Sequence, residues 1–231
     1  MSRLQTRPDA PEPGLLPPLP GRPGHACVPW GPSREFPLPF YLRETAQVAR
    51  DLLGAWLTHG QAGGVVVETE AYLGSEDPAS HAFRGPTPRS RVMFGEPGRV
   101  YVYFIYGNHH CFNVVAHPPG RAGAVLIRAL EPRLGLDLMK ARRGPCSLRD
   151  LTRGPGRLCQ ALGIDRALNG VCLAGGDLRC SPLPWGQPAP TGRPCRGPRV
   201  GLTRARHEPL RFFLEGNPHV SRGPRAVSEV P

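Results

Sequence analysis

Apolar residues recur along the chain at spacings that predict separate helices. The first predicted helix follows Thr45, a residue suited to the N-cap, and ends before Gly54; its apolar stripe consists of Val48, Ala49, Leu52 and Leu53. Two further helices are predicted, one at about residues 132–142 and one at residues 155–162. Each begins with a proline, and the second ends before Gly163.

Runs rich in β-branched and aromatic residues predict five strands, at residues 65–72, 99–106, 109–115, 124–130 and 209–215. The turn signal Gly107-Asn108 joins two of them into a β-hairpin with Tyr106 at its tip. Strands and helices do not alternate regularly, which indicates an α+β fold. We therefore expect a single α+β domain with a curved, mostly antiparallel sheet, flanking helices and a protruding β-hairpin.

Proline and glycine set the expected limits of this domain. Of the 231 residues, 30 are proline and 29 are glycine, and the excess lies at the start and in one late segment. Residues 1–38 are too poor in apolar residues to bury a core, so we expect a disordered tail there. The folded domain is expected at residues 39–222, with a long loop at 174–198 and a short C-terminal tail at 223–231.

Charge and cysteine usage narrow the class of protein. The formal net charge is +11 and the pI is near 10.1, which favours a polyanionic partner such as nucleic acid or an anionic membrane surface. An Arg-rich composition also arises from a GC-rich genome, so charge alone leaves this open. The seven cysteines include no Cys-x-x-Cys pair, which argues against a zinc ribbon and a disulfide framework. With no apolar leader and no stretch that could span a bilayer, we expect a soluble intracellular protein.

Two carboxylates and an aromatic ring share one face of the strand at residues 65–72. Side chains alternate along a strand, so Glu68, Glu70 and Tyr72 point the same way. One interpretation is a solvated strand face. The other is a general base beside a platform on which a planar ligand stacks.

The predicted hairpin concentrates the aromatic residues of the chain. It holds three of the five tyrosines, together with polar neighbours, and these residues are Tyr101, Tyr103, Tyr106, His109, His110 and Asn113. Aromatic packing of a small sheet explains two of the tyrosines. The tip residue Tyr106 is instead suited to wedging into a base stack. A metal site at His109 and Cys111 is disfavoured because the usual ligand spacing is missing.

Arginine occurs in two settings that point to different roles. Arg84, Arg89 and Arg91 lie in a loop with Gly, Pro and Thr, which is typical of a phosphate-binding loop and equally of a solvated one. Arg128 follows the apolar residues 125–127 within a predicted strand, and arginine is rarely buried without a partner. It is predicted to pair with a carboxylate, either as a structural ion pair or in a working site.

Several long motifs, in order, resemble the alkyladenine (3-methyladenine) DNA glycosylase family. They include VETEAYLG at residues 67–74, TPRSR at 87–91, YVYFIYG at 101–107, LIRALEP at 126–132 and RVG at 199–201. The resemblance extends over about residues 38–222. It implies an enzyme that flips a damaged purine out of duplex DNA and hydrolyses its bond to the sugar.

The resemblance also implies a role for individual residues. Glu70 resembles the general base that activates the attacking water, and Arg128 the positive residue beside it. Tyr106 resembles the intercalating residue, and Asn113 the residue that rejects normal guanine by meeting its 2-amino group. The residues that resemble the stacking pocket for the flipped base are Tyr72, His81 and Tyr103.

The resemblance further implies that no metal or organic cofactor is needed and that the partner is double-stranded DNA containing damaged purines. We expect a monomer that does not bind membranes. It would act in the cytoplasm, with the nucleoid, of a prokaryote or in the nucleus of a eukaryote. Lys140 is the only lysine and lies outside these motifs, so we expect a monofunctional enzyme that leaves an abasic site.

Two alternatives remain at the level of sequence. A non-enzymatic basic domain could bind nucleic acid by charge and stacking alone. A metal-dependent nuclease could use the carboxylates Glu68, Glu70 and Asp77.

Overall fold

A computed structural model describes residues 35–230, which form four α-helices and one sheet of nine strands. The strands are β1 (Trp56–His59), β2 (Ala62–Tyr72), β3 (Val100–Ile105), β4 (His109–Val115), β5 (Ala124–Leu134), β6 (Leu178–Ser181), β7 (Arg193–Gly197), β8 (Arg211–Glu215) and β9 (Ser228–Glu229). The helices are α1 (Leu38–Tyr41), α2 (Thr45–Asp51), α3 (Leu136–Arg143) and α4 (Pro155–Leu162). Within the described part, no helix has the length and apolar character needed to cross a membrane.

The sheet is antiparallel throughout, in the order β3-β4-β5-β2-β8-β7-β9, with β1 paired to the start of β2 and β6 paired to β1. The two longest strands, β2 and β5, lie at its centre. Helices α2 and α4 pack against them through the larger apolar core, which includes Leu52, Phe112, Ile127 and Leu158. The expected single α+β domain is confirmed.

The predicted hairpin is confirmed, with one difference at its tip. Strands β3 and β4 pair from Val100↔Val114 to Ile105↔His109. The loop has three residues, because Tyr106 leaves the strand with a positive φ of 54° and is followed by Gly107 at 71°. A bulky residue rarely adopts this conformation.

Two predictions about helix starts are wrong. The helix expected from Pro132 starts later, because β5 continues past Pro132, which pairs with Gly64, and ends at Leu134. Thr45 does not cap α2 with its side chain. Its hydroxyl instead donates to the Ala116 carbonyl oxygen at 2.7 Å, which ties the helix to the sheet.

The expected loop and tails contain ordered pairing. The segment 174–198 includes β6 and β7, so it is not one long loop. At the C-terminal end, β9 pairs with β7, so the described residues 223–230 of the expected short tail include a paired strand. The Phe36 amide donates to the Cys180 carbonyl oxygen, so packing begins before residue 38. The rest of the expected N-terminal tail, residues 1–34, lies outside the described residues.

A close approach of β2 and β5 requires glycine at position 64. A Cβ there would lie 2.2 Å from the Glu131 carbonyl oxygen, an atom of the partner backbone. We predict that Gly64→Ala destabilises the fold by roughly 1–3 kcal/mol, because the two central strands must separate. Gly176→Ala is the matched control, since a Cβ at that position meets nothing within 4 Å. Urea unfolding compares the two variants, and equal midpoints would contradict the prediction.

Candidate active site

The central strands place polar residues in one row across the sheet. The register pairs Tyr101 with Asn113, Asn113 with Leu126, Leu126 with Glu70, and Glu70 with Arg211. Residues directly opposite one another project from the same face of a sheet. The row therefore joins the hairpin to Glu70 on β2.

An irregularity between β2 and β5 brings Arg128 into this face. Thr69 pairs with Ile127 and Glu68 pairs with Ala129, which leaves Arg128 as the extra residue of a β-bulge. Bulges re-aim side chains and are enriched next to active sites. The guanidinium of Arg128 thereby lies against both carboxylates of β2.

Glu68 is fully buried and accepts four hydrogen bonds. Its Oε1 accepts from Arg128 Nε at 3.1 Å, from Arg211 Nε at 2.6 Å and from Ser221 Oγ at 2.9 Å. Its Oε2 accepts from the Ser221 amide at 2.8 Å. Burial alone would raise the pKa of Glu68, but the charges of Arg128 and Arg211 hold it below its usual range. Glu68 is therefore an anion committed to structural partners.

Glu70 is equally buried but less occupied. Its Oε2 accepts from the Tyr72 hydroxyl at 2.9 Å, and its Oε1 accepts from the Val200 amide at 2.7 Å. Arg128 Nη1 lies 3.4 Å from Oε2. Each carboxylate oxygen has two lone-pair directions, so Glu70 keeps capacity to accept a further hydrogen bond.

Tyr72 links Glu70 to a second buried ion pair. The Cζ atom of Arg199 lies 4.7 Å from the centre of the Tyr72 ring. Arg199 is itself fully buried and donates through Nη2 to Asp77 Oδ1 at 2.8 Å. Burial raises the pKa of Tyr72, and the neighbouring Glu70 raises it further, so the hydroxyl stays protonated. Tyr72 as a whole is half-buried.

Three aromatic side chains form a cluster beside Tyr72. His81 Nδ1 lies 2.9 Å from the Tyr101 hydroxyl, and the His81 ring meets the Tyr103 ring edge to face at 4.7 Å between centres. Tyr72 and Tyr103 pack against the same small apolar cluster, which includes Met93. Contact with the neighbouring rings shields the imidazole of His81 in part from water, although the residue is exposed at the protein surface. This shielding and the nearby Arg89 charge lower the pKa of His81 to about 4. The imidazole is therefore neutral at physiological pH.

The loop arginines lie in different settings. The Cζ atom of Arg89 lies 5.0 Å from the centre of the Tyr103 ring, so this residue belongs to the edge of the aromatic cluster. Arg84 is exposed and Arg91 is half-buried. Within residues 35–230, neither of these two forms a salt bridge or a ring contact.

The remaining predicted site residues lie along the hairpin. Asn113 is buried, and its Nδ2 donates to the Tyr101 carbonyl oxygen at 3.0 Å, which fixes the amide in the row of the sheet. Tyr106 is 82% exposed at the tip. Asn113 therefore lies inside the protein, in the same row as Glu70, whereas Tyr106 projects into solvent at the tip of the hairpin.

The carboxylates of the nuclease hypothesis do not converge. In the described part of the chain, no three His, Cys, Asp or Glu side chains lie close enough to hold a metal ion. Glu68 is bound by two arginines, and Asp77 is bound by Arg199 and by the Ala79 amide. Their spacing does not support a shared cation site.

Comparison with known proteins identifies the family. Residues 39–218 match the sequence model of the methylpurine-DNA glycosylase family. The chain belongs to this family. The resemblance inferred from the motifs is therefore confirmed.

Three relatives show how far the similarity extends. Each of them carries the name 3-methyladenine DNA glycosylase. The one from Methanoculleus marisnigri is 50% identical over 196 residues, covering 80% of this chain and 98% of the relative. The one from Granulibacter bethesdensis is 50% identical over 188 residues, covering 79% and 85%. The one from Frankia casuarinae is 49% identical over 196 residues, covering 80% and 91%.

Sequence reasoning gave no role to three residues that hold this candidate site together. Arg199 belongs to the RVG motif. This motif indicated the family resemblance, but it did not predict that Arg199 forms an ion pair with Asp77. Arg211 and Ser221 bind Glu68 from positions far along the chain. An arginine inside the predicted strand at 209–215 was the only available sign of a buried charge.

We predict that Glu68→Gln destabilises the fold by about 3 kcal/mol or more, because it leaves the buried Arg211 without its carboxylate and leaves Arg128 with only Glu70, at 3.4 Å. Glu70→Gln should cost clearly less, since Glu70 has one arginine neighbour at 3.4 Å. The lowered pKa of Glu68 contributes stability above the ordinary carboxyl pKa, and this stability is lost as pH falls through the folded-state pKa. Calorimetric Tm values from pH 7 to pH 3 should therefore fall less steeply for Glu68→Gln than for the parent. A larger loss for Glu70→Gln would contradict the assignment.

Proposed function

We propose that this chain is a DNA glycosylase that removes alkylated or deaminated purines from duplex DNA by hydrolysing the N-glycosidic bond. The observation that carries the proposal is the buried carboxylate of Glu70, held by the Tyr72 hydroxyl and the Val200 amide beside Arg128. Membership of the methylpurine-DNA glycosylase family supports it. The names of its relatives point to 3-methyladenine as one substrate.

The aromatic cluster suits a planar, electron-poor base. In the proposal, Tyr72 stacks on one face of the flipped purine, and His81 and Tyr103 pack against the other. A purine with a positively charged ring gains from tyrosine faces as other cations do. The low pKa of His81 supports this role, because a neutral imidazole does not repel such a base. Asn113 would reject normal guanine by crowding its 2-amino group.

Glu70 acts as the general base in the chemical step. The oxygen of a water molecule forms a bond to the sugar C1′, and Glu70 takes the proton that the water loses. The bond between C1′ and the base breaks, and its electron pair leaves with the base. A cationic alkylpurine leaves as a neutral molecule and needs no added proton, whereas a neutral deaminated purine leaves as an anion that takes up a proton from the solvent. The negative charge of Glu70 also stabilises the positive charge that builds on the sugar, while Arg128 orients the carboxylate.

Tyr106 fills the space that the extracted nucleotide leaves. Base flipping costs a few kcal/mol, and an aromatic wedge offsets part of that cost. The exposure and positive φ of Tyr106 support this role, because strained backbone is kept mainly where function requires it. Arg84, Arg89 and Arg91 would bind phosphates near the pocket.

In the same proposal, the enzyme is a monomer and does not cut the DNA strand. A glycosylase that cleaves DNA needs an amine that attacks the sugar. Lys140, the only lysine of the chain, is more than half exposed on α3 and lies 3.3 Å from Asp137. Hydrolysis should therefore end at an abasic site.

The proposal is tested by release of methylated purines from duplex DNA treated with dimethyl sulfate, with a chelator present. Glu70→Gln keeps the shape of the side chain but removes the charge and the proton acceptor. We predict at least a hundredfold slower single-turnover release, which is the usual scale of general-base catalysis, with duplex binding within about threefold of the parent. Liquid chromatography of the free bases and fluorescence anisotropy measure the two quantities.

Glu131→Gln is the matched control, because Glu131 is also a carboxylate of the central sheet that binds an arginine, Arg133. It should release methylpurines at the parent rate. Near-parent release by Glu70→Gln would refute the general-base assignment. No release by the parent protein, despite binding, would favour the non-enzymatic domain. Strand cuts that stop with the chelator would favour the nuclease.

A further inference from the structure

Four arginines that the proposed reaction does not use line a cleft of about 480 Å³. They are Arg149, Arg153, Arg157 and Arg222, and the only carboxylate among the lining residues is Asp150. The four arginines and the one carboxylate therefore give the lining of the cleft a net charge of +3. A cluster of this kind attracts anions, and guanidinium groups match phosphate oxygens in particular.

Two of these arginines are held in place through one nitrogen only. Arg149 Nε donates to the Pro218 carbonyl oxygen at 3.2 Å, and Arg153 Nε donates to the Val220 carbonyl oxygen at 2.7 Å. Within the described residues, their terminal nitrogens form no hydrogen bond with protein atoms. Each side chain thus presents two oriented donors, and less rotational freedom is lost when an anion binds.

The charges of the cleft are poorly balanced within the protein. Arg157 pairs with Asp150 at 2.7 Å, but among residues 35–230 no carboxylate forms a salt bridge with Arg149, Arg153 or Arg222. Burial, followed by the like charge of Arg149, lowers the pKa of Arg153. Crowded positive charges of this kind are costly in isolation and are relieved by a bound anion.

The cleft adjoins both parts of the proposed DNA-binding face. On one side Arg222 follows Ser221, which donates to Glu68, and Arg153 bridges to Ala129, the neighbour of Arg128. On the other side, Arg157 follows Gly156, where a Cβ would lie 2.9 Å from the His109 ring, next to the tip of the hairpin. The arginines therefore lie between the buried carboxylates and the hairpin.

We propose that this arginine cleft binds the phosphodiester backbone of duplex DNA next to the extracted nucleotide. The proposal rests on the proposed function for its choice of anion, because an extended polyanion can engage several guanidiniums at once. The cleft would hold the backbone while Tyr106 enters the duplex. Asp150 holds Arg157 in place and also weakens the attraction for phosphate.

The test measures anisotropy of a fluorescent, undamaged duplex of about 24 base pairs between about 50 and 300 mM KCl. Arg153→Ala and Arg222→Ala should each bind about tenfold more weakly at about 100 mM salt, the scale of one charge-assisted contact, and should lower the slope of log affinity against log salt by about 0.9 per lost phosphate. Asp150→Asn keeps the side-chain shape and should bind several-fold more tightly. Arg179→Ala is the control, since Arg179 is exposed, has a carboxylate neighbour, and lies on β6 at the far edge of the sheet.

The proposal would be overturned if both arginine variants kept the parent affinity and salt slope, or if Asp150→Asn bound more weakly. The undamaged duplex separates this proposal from the proposed function. If the variants behave as expected but the parent releases no methylpurine, the proposed function fails and the cleft assignment stands. If the parent releases methylpurines while the variants bind unaltered, the cleft assignment alone fails.

Discussion

The site depends on the carboxylate of Glu68, which is buried between the guanidiniums of Arg128 and Arg211. A buried charge is stable only when its partners are complete, and this one draws donors from β5, β8 and the segment that contains Ser221. The ion network therefore fixes how the central strands meet. It also sets the position of Arg128, whose other edge lies against Glu70.

This arrangement gives two carboxylates on one strand different chemistry. Glu68 accepts hydrogen bonds from two arginines and a serine, so it neutralises the charges of these arginines and positions Arg128. Glu70 has the amide of Val200 and the hydroxyl of Tyr72 as partners, and it keeps capacity for water. In the proposed reaction the first carboxylate supports the second. Below Tyr72, the pair of Arg199 and Asp77 gives the ring a rigid base in the same way.

Much of the fold could be predicted because its signals are local: alternating strands, turn residues and the hairpin with Tyr106. The division of labour between Glu68 and Glu70 could not, since both lie on one strand face and the partner that separates them, Arg211, lies 143 positions away. Strands β6 and β7 were missed because they are short and lie among Gly and Pro, where pairing with β1 and β8 decides the structure. The resemblance to the family identified Glu70 as the general base, whereas the alternation of side chains along the strand could not distinguish it from Glu68.

The central claim is that Glu68 acts on the reaction only through Arg128. A double-mutant cycle on single-turnover release of methylpurines, at saturating protein, tests it with Glu68→Gln, Arg128→Gln and the double variant. The account predicts that the double variant is no slower than Arg128→Gln alone. Losses that multiply in the double variant would show that Glu68 contributes independently and would contradict the account.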